Sequence, residues 1–423
     1  MLSVADNEYI TRIGPGTPMG TYLRRYWTPF MESSQLPERD GNILDVTLLG
    51  ERLIAFRDSA GRVGLVNALC PHRSAPLSYA RNEEHGIRCI YHGWKFDVDG
   101  SCVDMPSEPA ESNFKDKVKV KSYPVEERGG VLFAYLGPAD LPAEMPDIEW
   151  TNVPDGRRMM AHFTLECNWV QNLEGDVDSS HVGFLHANAL RSATNPDAPY
   201  QAFDKAPYWF IEQTDYGMAL AARRGTPEGD TYYWRINQWL LPYYTLVASN
   251  LARTRIHSHI WVPLDDTHTE VWCVEWTTDG TDLSERERWS LTRGPLAHIP
   301  TFDPETHTLK ANSANHYLQD RLAQKNLSFS GIEGIREQDS AMVEGMGAIV
   351  DRTAEHLGTS DTAVITLRRR LLREAKDLAN LGQEPFPATH GSLYAVRSWS
   401  ALVEPEQKFP ESAEMRELAT AKG

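Results

Sequence analysis

The period of apolar and polar positions changes along the chain, and each change predicts a different element. Residues 46–49, 53–56 and 63–66 are short β runs parted by Gly50-Glu51 and Ser59-Ala60-Gly61, which predicts a small antiparallel body with tight turns. Residues 130–137 read as its closing strand. Before it, Gly14-Pro15-Gly16 marks a lead-in loop, and residues 21–27 have the spacing of a short amphipathic helix. Past a stretch rich in proline and acids at 138–154, read as a linker, the runs become long and aromatic: 209–222, 231–247, 255–262 and 270–276. The helical period returns near the end, where Val364, Leu367, Leu371, Ala375 and Leu378 form one stripe behind a Ser360-Asp361 start. Strands followed by closing helices describe an α+β chain. We divide it into a lead-in at 1–40, a β domain at 41–150 and a larger domain at 151–423.

Composition narrows the picture modestly. With 423 residues, 41% of them hydrophobic, the chain can bury two cores. No apolar run is long enough to span a bilayer, and the first residues lack the basic flank and apolar stretch of a signal peptide. Five cysteines make no disulfide framework, which suits a reducing compartment, and the expected location is cytoplasmic. A net charge of −17 would repel nucleic-acid phosphates.

Candidate chemistry sits in two places. Cys70-Pro71-His72 and Cys89-Ile90-Tyr91-His92 each offer one thiolate and one imidazole. Two thiolates can clamp one iron of a 2Fe-2S cluster and two neutral imidazoles the other, which is a Rieske-like arrangement. Structural zinc uses the same four ligand types, but the tight C-x-H loop is unusual for it. Cys102, Cys167 and Cys273 lie outside this pattern and read as small buried residues. About a hundred residues on, Glu174, Asp178 and His181 are spaced i, i+4 and i+7, which predicts one helical face. His186 needs a bend near Gly183 to join them. Two histidines and one carboxylate would make the facial triad of non-haem Fe(II), with positions open for O2. Asp178 is one candidate for the third ligand.

Taken in series, with Tyr91-His92-Gly93-Trp94-Lys95-Phe96-Asp97 and the stretch from Asn168 to His186, these patterns resemble the alpha (oxygenase) subunits of Rieske non-haem iron oxygenases, in the phthalate dioxygenase-like branch. The resemblance implies a small antiparallel β Rieske domain followed by a helix-grip-like antiparallel sheet with helices. It assigns the cluster to Cys70, His72, Cys89 and His92, and the Fe(II) to His181, His186 and Asp339. Asp339 stands in the late segment Arg336-Glu337-Gln338-Asp339-Ser340, with Glu333, Glu337 and Glu344 as neighbouring competitors. Asp178 then becomes the bridge between an iron and the cluster of an adjacent subunit. Such proteins form trimers or dimers of trimers and take electrons from an NAD(P)H-dependent flavin/2Fe-2S reductase. With O2 they hydroxylate an aromatic acid, or remove a methyl ether as formaldehyde. A Rieske electron carrier without oxygenase activity is the remote alternative, and it would leave His181, His186 and Asp339 without purpose.

Substrate preference is written more faintly. Tyr233, Arg235, Asn237 and Trp239 alternate on one strand face, an aromatic wall with one cation and one amide that suits an aromatic carboxylate. The competing reading is an outer face with a snorkelling Arg. Lys205, Arg253 and Arg255 are weaker anchors. His257 and His259 read as a structural or exposed pair, and Asn168 and Gln171 either hydrogen-bond around the site or satisfy backbone. Lys115, Lys117, Lys119 and Lys121 have the period of a strand and predict a cationic row on one side of the β domain.

Overall fold

The computed structural model describes all residues except 110, 188–197, 249–250, 253, 295–296 and 406–423. It forms two compact units. One is Ile13–Met145; the other joins Met1–Arg12 to Pro146–Gly423. The expected lead-in at 1–40 is therefore no separate body. The helix Val4–Thr11 packs in the larger unit, where Asn7 donates to Val350 O and accepts from Arg352. The strand Trp27–Glu32 belongs to the smaller unit, paired with Val131–Tyr135. The second boundary lies at 145/146 and not 150/151, because Ile148 and Trp150 are buried in the larger unit.

In the smaller unit the β runs expected from residue 43 onward form Leu44–Leu48, Glu51–Arg57 and Val63–Asn67, with Ser122–Tyr123 completing their sheet. A second four-stranded sheet runs Arg81–Glu83, Gly86–Arg88, Lys95–Phe96 and Cys102–Asp104. The two Cys/His loops leave the ends of strands Val63–Asn67 and Gly86–Arg88. Between the sheets lies a core that includes Ile54, Phe56, Val66, Ile87 and Phe96, and it also buries Cys70 and Cys89. The lysine row is not a strand: Phe114–Lys117 is a 3-10 turn, and Lys121 is tied to Glu51 at 2.8 Å. The helix expected at 21–27 occurs earlier, at Pro18–Leu23, started by the Thr17 side chain accepting from Gly20 N.

The larger unit is built on one antiparallel sheet ordered Arg158–Leu165, Thr269–Thr277, Arg255–Pro263, Tyr244–Ala248, Tyr232–Leu240, Gly217–Gly225 and Tyr208–Gln213, with Trp399–Val403 also pairing Tyr232–Leu240. Two expected strands are hairpins. Residues 209–222 turn at Gly217, whose φ of +150° brings its backbone against Trp239 O, and 231–247 turn at Leu241-Pro242-Tyr243. The edge strand Arg158–Leu165 is broken in pattern by His162 and Thr164 and was not anticipated. Helices Trp169–Val177, Ile335–Gly345 and Thr362–Leu381 accompany the sheet. The last buries Val364, Leu367, Leu371, Ala375 and Leu378 as expected and stops at Gly382, whose φ of +65° closes it. Among the described residues, no helix is long and apolar enough to cross a membrane.

Candidate metal centres and pocket

In the smaller unit the two short loops fold back on themselves. Cys70 N donates to Ala75 O and Ser74 N to Cys70 O; Cys89 N donates to Trp94 O and Gly93 N to Cys89 O. Each loop so buries its cysteine and leaves its histidine half-exposed at the tip. The rings of His72 and His92 are 4.5 Å apart, and His72 stacks on Trp94 at 4.3 Å. Burial pushes the Cys70 thiol up to about 11, and its contact with Cys89 adds to the shift. Two neighbouring buried thiols below a pair of imidazoles are a donor set that needs cations to take up thiolate charge, and it fits a Rieske cluster.

In the larger unit His181, His186 and Asp339 converge. Asp339 Oδ1 is 3.1 Å from His186 Nε2 and 3.6 Å from His181 Nε2, with the two rings 5.1 Å apart. The expected single helical face over Glu174, Asp178 and His181 does not form. The helix ends at Val177, Asp178 caps it with extended backbone, and His181 starts a separate 3-10 turn, His181–Gly183. Glu174 instead faces inward to Arg352 and Arg368, at 3.0 and 2.6 Å.

Each iron-side donor is oriented by a partner. Gln338 Nε2 donates to Ile332 O, so its Oε1 accepts from His186 Nδ1 at 2.6 Å and turns the imidazole Nε2 toward Asp339. Asp178 Oδ2 lies 3.3 Å from His181 Nδ1, behind the ring. Asp178 thus stands on the side of the His181 ring opposite Asp339. Arg336, packed over Trp261, reaches Asp339 Oδ2 at 3.2 Å. Burial opposes the charge on Asp339, but the facing His186 and Arg336 outweigh it and hold the carboxyl below its usual range. The competitors point elsewhere: Glu333 is exposed, Glu337 is raised by burial, and Glu344 accepts from Tyr317 and from Glu166 N. Two imidazoles and one carboxylate at this spacing, buried or half-buried, fit Fe(II) with open positions.

His257 and His259 are not exposed. Both are buried and line the same pocket as the triad. Glu275 Oε2 is 2.9 Å from His257 Nδ1, His257 Nε2 is 2.5 Å from His259 Nε2, and His259 Nδ1 is 2.9 Å from Asp176. Burial raises Glu275 and holds His257 well below the ordinary imidazole range. The row is saturated when Glu275 carries a proton, each group then donating to the next as far as Asp176, whose charge faces Arg336 at 3.9 Å.

Arg235 also lines this pocket, and its buried Nε has no protein partner among the described residues. Its expected companions serve the fold. Asn237 Oδ1 accepts from Ala248 N, and the Tyr233 hydroxyl donates to Ser400 Oγ and accepts from Gln201. Trp239 is buried and donates to Pro242 O. Asn168 caps its helix and ties it to Thr11 O and Asp266 O; Gln171 ties the same helix to Val343 O and Gly347 O. Lys205 is exposed over Phe184, Arg255 approaches Glu275 at 3.6 Å, and Arg253 lies outside the described residues. Sequence reasoning missed Arg336 and Gln338, although they stand three and one positions before Asp339, and it missed Asp176 and His298, which line the same pocket and carry no motif.

Family models match at both ends of the chain: a Rieske [2Fe-2S] domain over residues 26–124 and a LigXa C-terminal domain like model over residues 134–421. The chain belongs to the Rieske oxygenases. It is 37% identical over 385 residues to the 3-chlorobenzoate-3,4-dioxygenase oxygenase subunit of Comamonas testosteroni, covering 88% of each chain. It is 37% identical over 414 residues to the phthalate 4,5-dioxygenase oxygenase subunit of Pseudomonas putida, covering 94% of this chain and 93% of that one. The 5,5'-dehydrodivanillate O-demethylase oxygenase subunit of a Sphingobium species is 33% identical, covering 91% and 83%. In fold, this Rieske oxygenase subunit matches a Pseudomonas putida CBB5 NdmA mutant with theobromine at a TM-score of 0.60 and 18% identity, over 93% of this chain and 100% of that one.

Proposed function

We propose that this Rieske oxygenase subunit hydroxylates an aromatic carboxylate, and that Arg235 binds the carboxylate. The observation that carries the reading is the buried Arg235 Nε, without a protein partner among the described residues, in the pocket of His181, His186 and Asp339. A buried guanidinium nitrogen left without a hydrogen-bond partner is costly, and a planar carboxylate answers it with charge-assisted hydrogen bonds. Phthalate and chlorobenzoate in the names of two relatives agree with this choice.

In this reading Cys70, His72, Cys89 and His92 hold the cluster, and His181, His186 and Asp339 hold Fe(II). The cluster would supply single electrons and the iron O2 activation. The protein's own residues do the rest. Gln338 and Asp178 fix the tautomers and ring planes of His186 and His181. Arg336 keeps Asp339 ionised. Arg235 sets the ring's position over the iron face, and the Glu275–His257–His259–Asp176 row holds protons at the pocket wall. Electrons come from an NAD(P)H-dependent flavin/2Fe-2S reductase, and Asp178 connects to the cluster of a neighbouring subunit in a trimer or dimer of trimers in the cytoplasm.

O-demethylation of a methoxylated aromatic acid is the second reading, favoured by the O-demethylase relative. Product analysis separates the two. With a surrogate reductase, a panel of phthalates, benzoates and methoxybenzoates should yield ring-hydroxylated acid without formaldehyde. Formaldehyde in step with substrate loss would establish the demethylase, and no loss of any acid would reject the proposal.

A further inference from the structure

We propose that His162, Glu270 and His307 form a second metal site, for a divalent first-row cation of the Zn2+ type, distinct from the iron triad. Three segments bring these donors together: the edge strand Arg158–Leu165, its neighbour Thr269–Thr277, and the turn at residues 303–308. One nitrogen or oxygen from each lies within 4.8 Å of the others. Both imidazoles present Nδ1 to the same carboxylate oxygen, His162 at 2.5 Å from Glu270 Oε1 and His307 at 3.5 Å. Those separations bracket the ~3.4 Å expected between two donors about 2.1 Å from one tetrahedral ion.

The surroundings are built to orient donors. Thr164 Oγ1 donates to the other oxygen, Glu270 Oε2, at 2.7 Å, which leaves Oε1 to the imidazoles. The His162 ring is stacked on Trp272 at 4.3 Å. His307 is held in the left-handed region, at φ +55°, by His307 N donating to Asp303 O and Thr164 N to His307 O. Backbone strain at a polar side chain that converges with two other donors is a recurring mark of functional sites.

The pattern of ion pairs agrees with this geometry. Several inward-facing carboxylates of this unit face a guanidinium: Glu174 meets Arg352 and Arg368, Asp176 and Asp339 meet Arg336, and Glu275 meets Arg255. Glu270 is paired only with imidazoles in the ion pairs found among the described residues. A cation shared by both rings supplies the missing charge and cross-links the turn to the sheet edge. Three protein donors leave one tetrahedral position for water. None of the three residues lines the pocket of His181, His186 and Asp339.

The test uses the full chain with its 2Fe-2S cluster in place and Asp339→Ala to disable the iron triad. After chelation, Co2+ is added as a spectroscopic probe, and bound metal is counted by equilibrium dialysis. One Co2+ per chain with visible d–d bands, displaced by Zn2+, is expected in Asp339→Ala, and its loss in Asp339→Ala/Glu270→Gln. Should the latter not fold, Asp339→Ala/His307→Ala removes a donor from a surface turn. Equal Co2+ uptake with and without the second substitution, or none in Asp339→Ala, would overturn the proposal.

Discussion

Asp178 and Asp339 are both half-buried aspartates beside His181, yet they occupy opposite sides of its ring: Nδ1 faces Asp178 and Nε2 faces Asp339. Asp339→Asn should therefore empty the mononuclear site, whereas Asp178→Asn should keep the iron and lose most turnover. Metal analysis of the two variants decides, and the reverse pattern would exchange their roles. Arg235→Gln keeps hydrogen-bonding capacity but removes the charge. A charged hydrogen bond is worth about 1.5–3 kcal/mol, so KM for an acid substrate should rise about 10- to 100-fold with the iron content unchanged. Steady-state kinetics checks this. At this scale the sequence showed donors but not neighbours. Cys70, His72, Cys89, His92, His181 and His186 stand in short-range motifs, whereas Gln338 reaches His186 across 152 residues, a pairing no local pattern contains. For His257 and His259 the sequence left a structural and an exposed reading open for a related reason: a polar pair on a strand does not show which until Asp176 and Glu275 are found beside it.

Elements carry the donors, and the helix Trp169–Val177 is held by a buried charge cluster. Arg352 is fully buried, and both it and Arg368 meet Glu174. Burial opposes ionisation of Glu174, while the two guanidiniums outweigh it and lower its pKa from the ordinary 4.5. A depressed carboxylate stabilises the fold above its unfolded pKa, and that contribution is lost as pH falls through the lower folded value. The larger unit should accordingly lose stability below about pH 4.5, and Glu174→Gln should flatten this dependence. At neutral pH the same substitution strands two cations and should cost about 3–5 kcal/mol, seen as a lower melting temperature with the cluster's visible spectrum intact. The helical period predicted Glu174 and His181 on one face because spacing alone cannot show where a helix stops. Val177 is its last residue, and the i, i+7 relation lapses there. Long aromatic runs hid their turns similarly, since Leu241-Pro242 interrupts apolar texture without a polar break.

For the whole molecule, two units with separate cores imply separable loss. Cys70→Ser should abolish the Rieske visible and EPR signals while circular dichroism and mononuclear iron remain, because His181, His186 and Asp339 belong to the other unit. A cluster signal that survives would refute the ligand assignment. The fold class and the order of the two centres were legible from residue pattern and motif spacing. The boundaries were not, because Met1–Arg12 joins the larger unit through contacts with residues some 340 positions away, such as Asn7 with Val350. The central claim is that an aromatic carboxylate is recognised through Arg235 at an iron that takes electrons from the Rieske cluster. Single turnover of the fully reduced protein tests it most directly, by mixing with O2 and either an aromatic acid or its primary amide and quantifying product by mass spectrometry. The account predicts oxygenated product from the acid, little from the amide, and loss of that preference in Arg235→Gln. Equal product from acid and amide in the unaltered protein would contradict it.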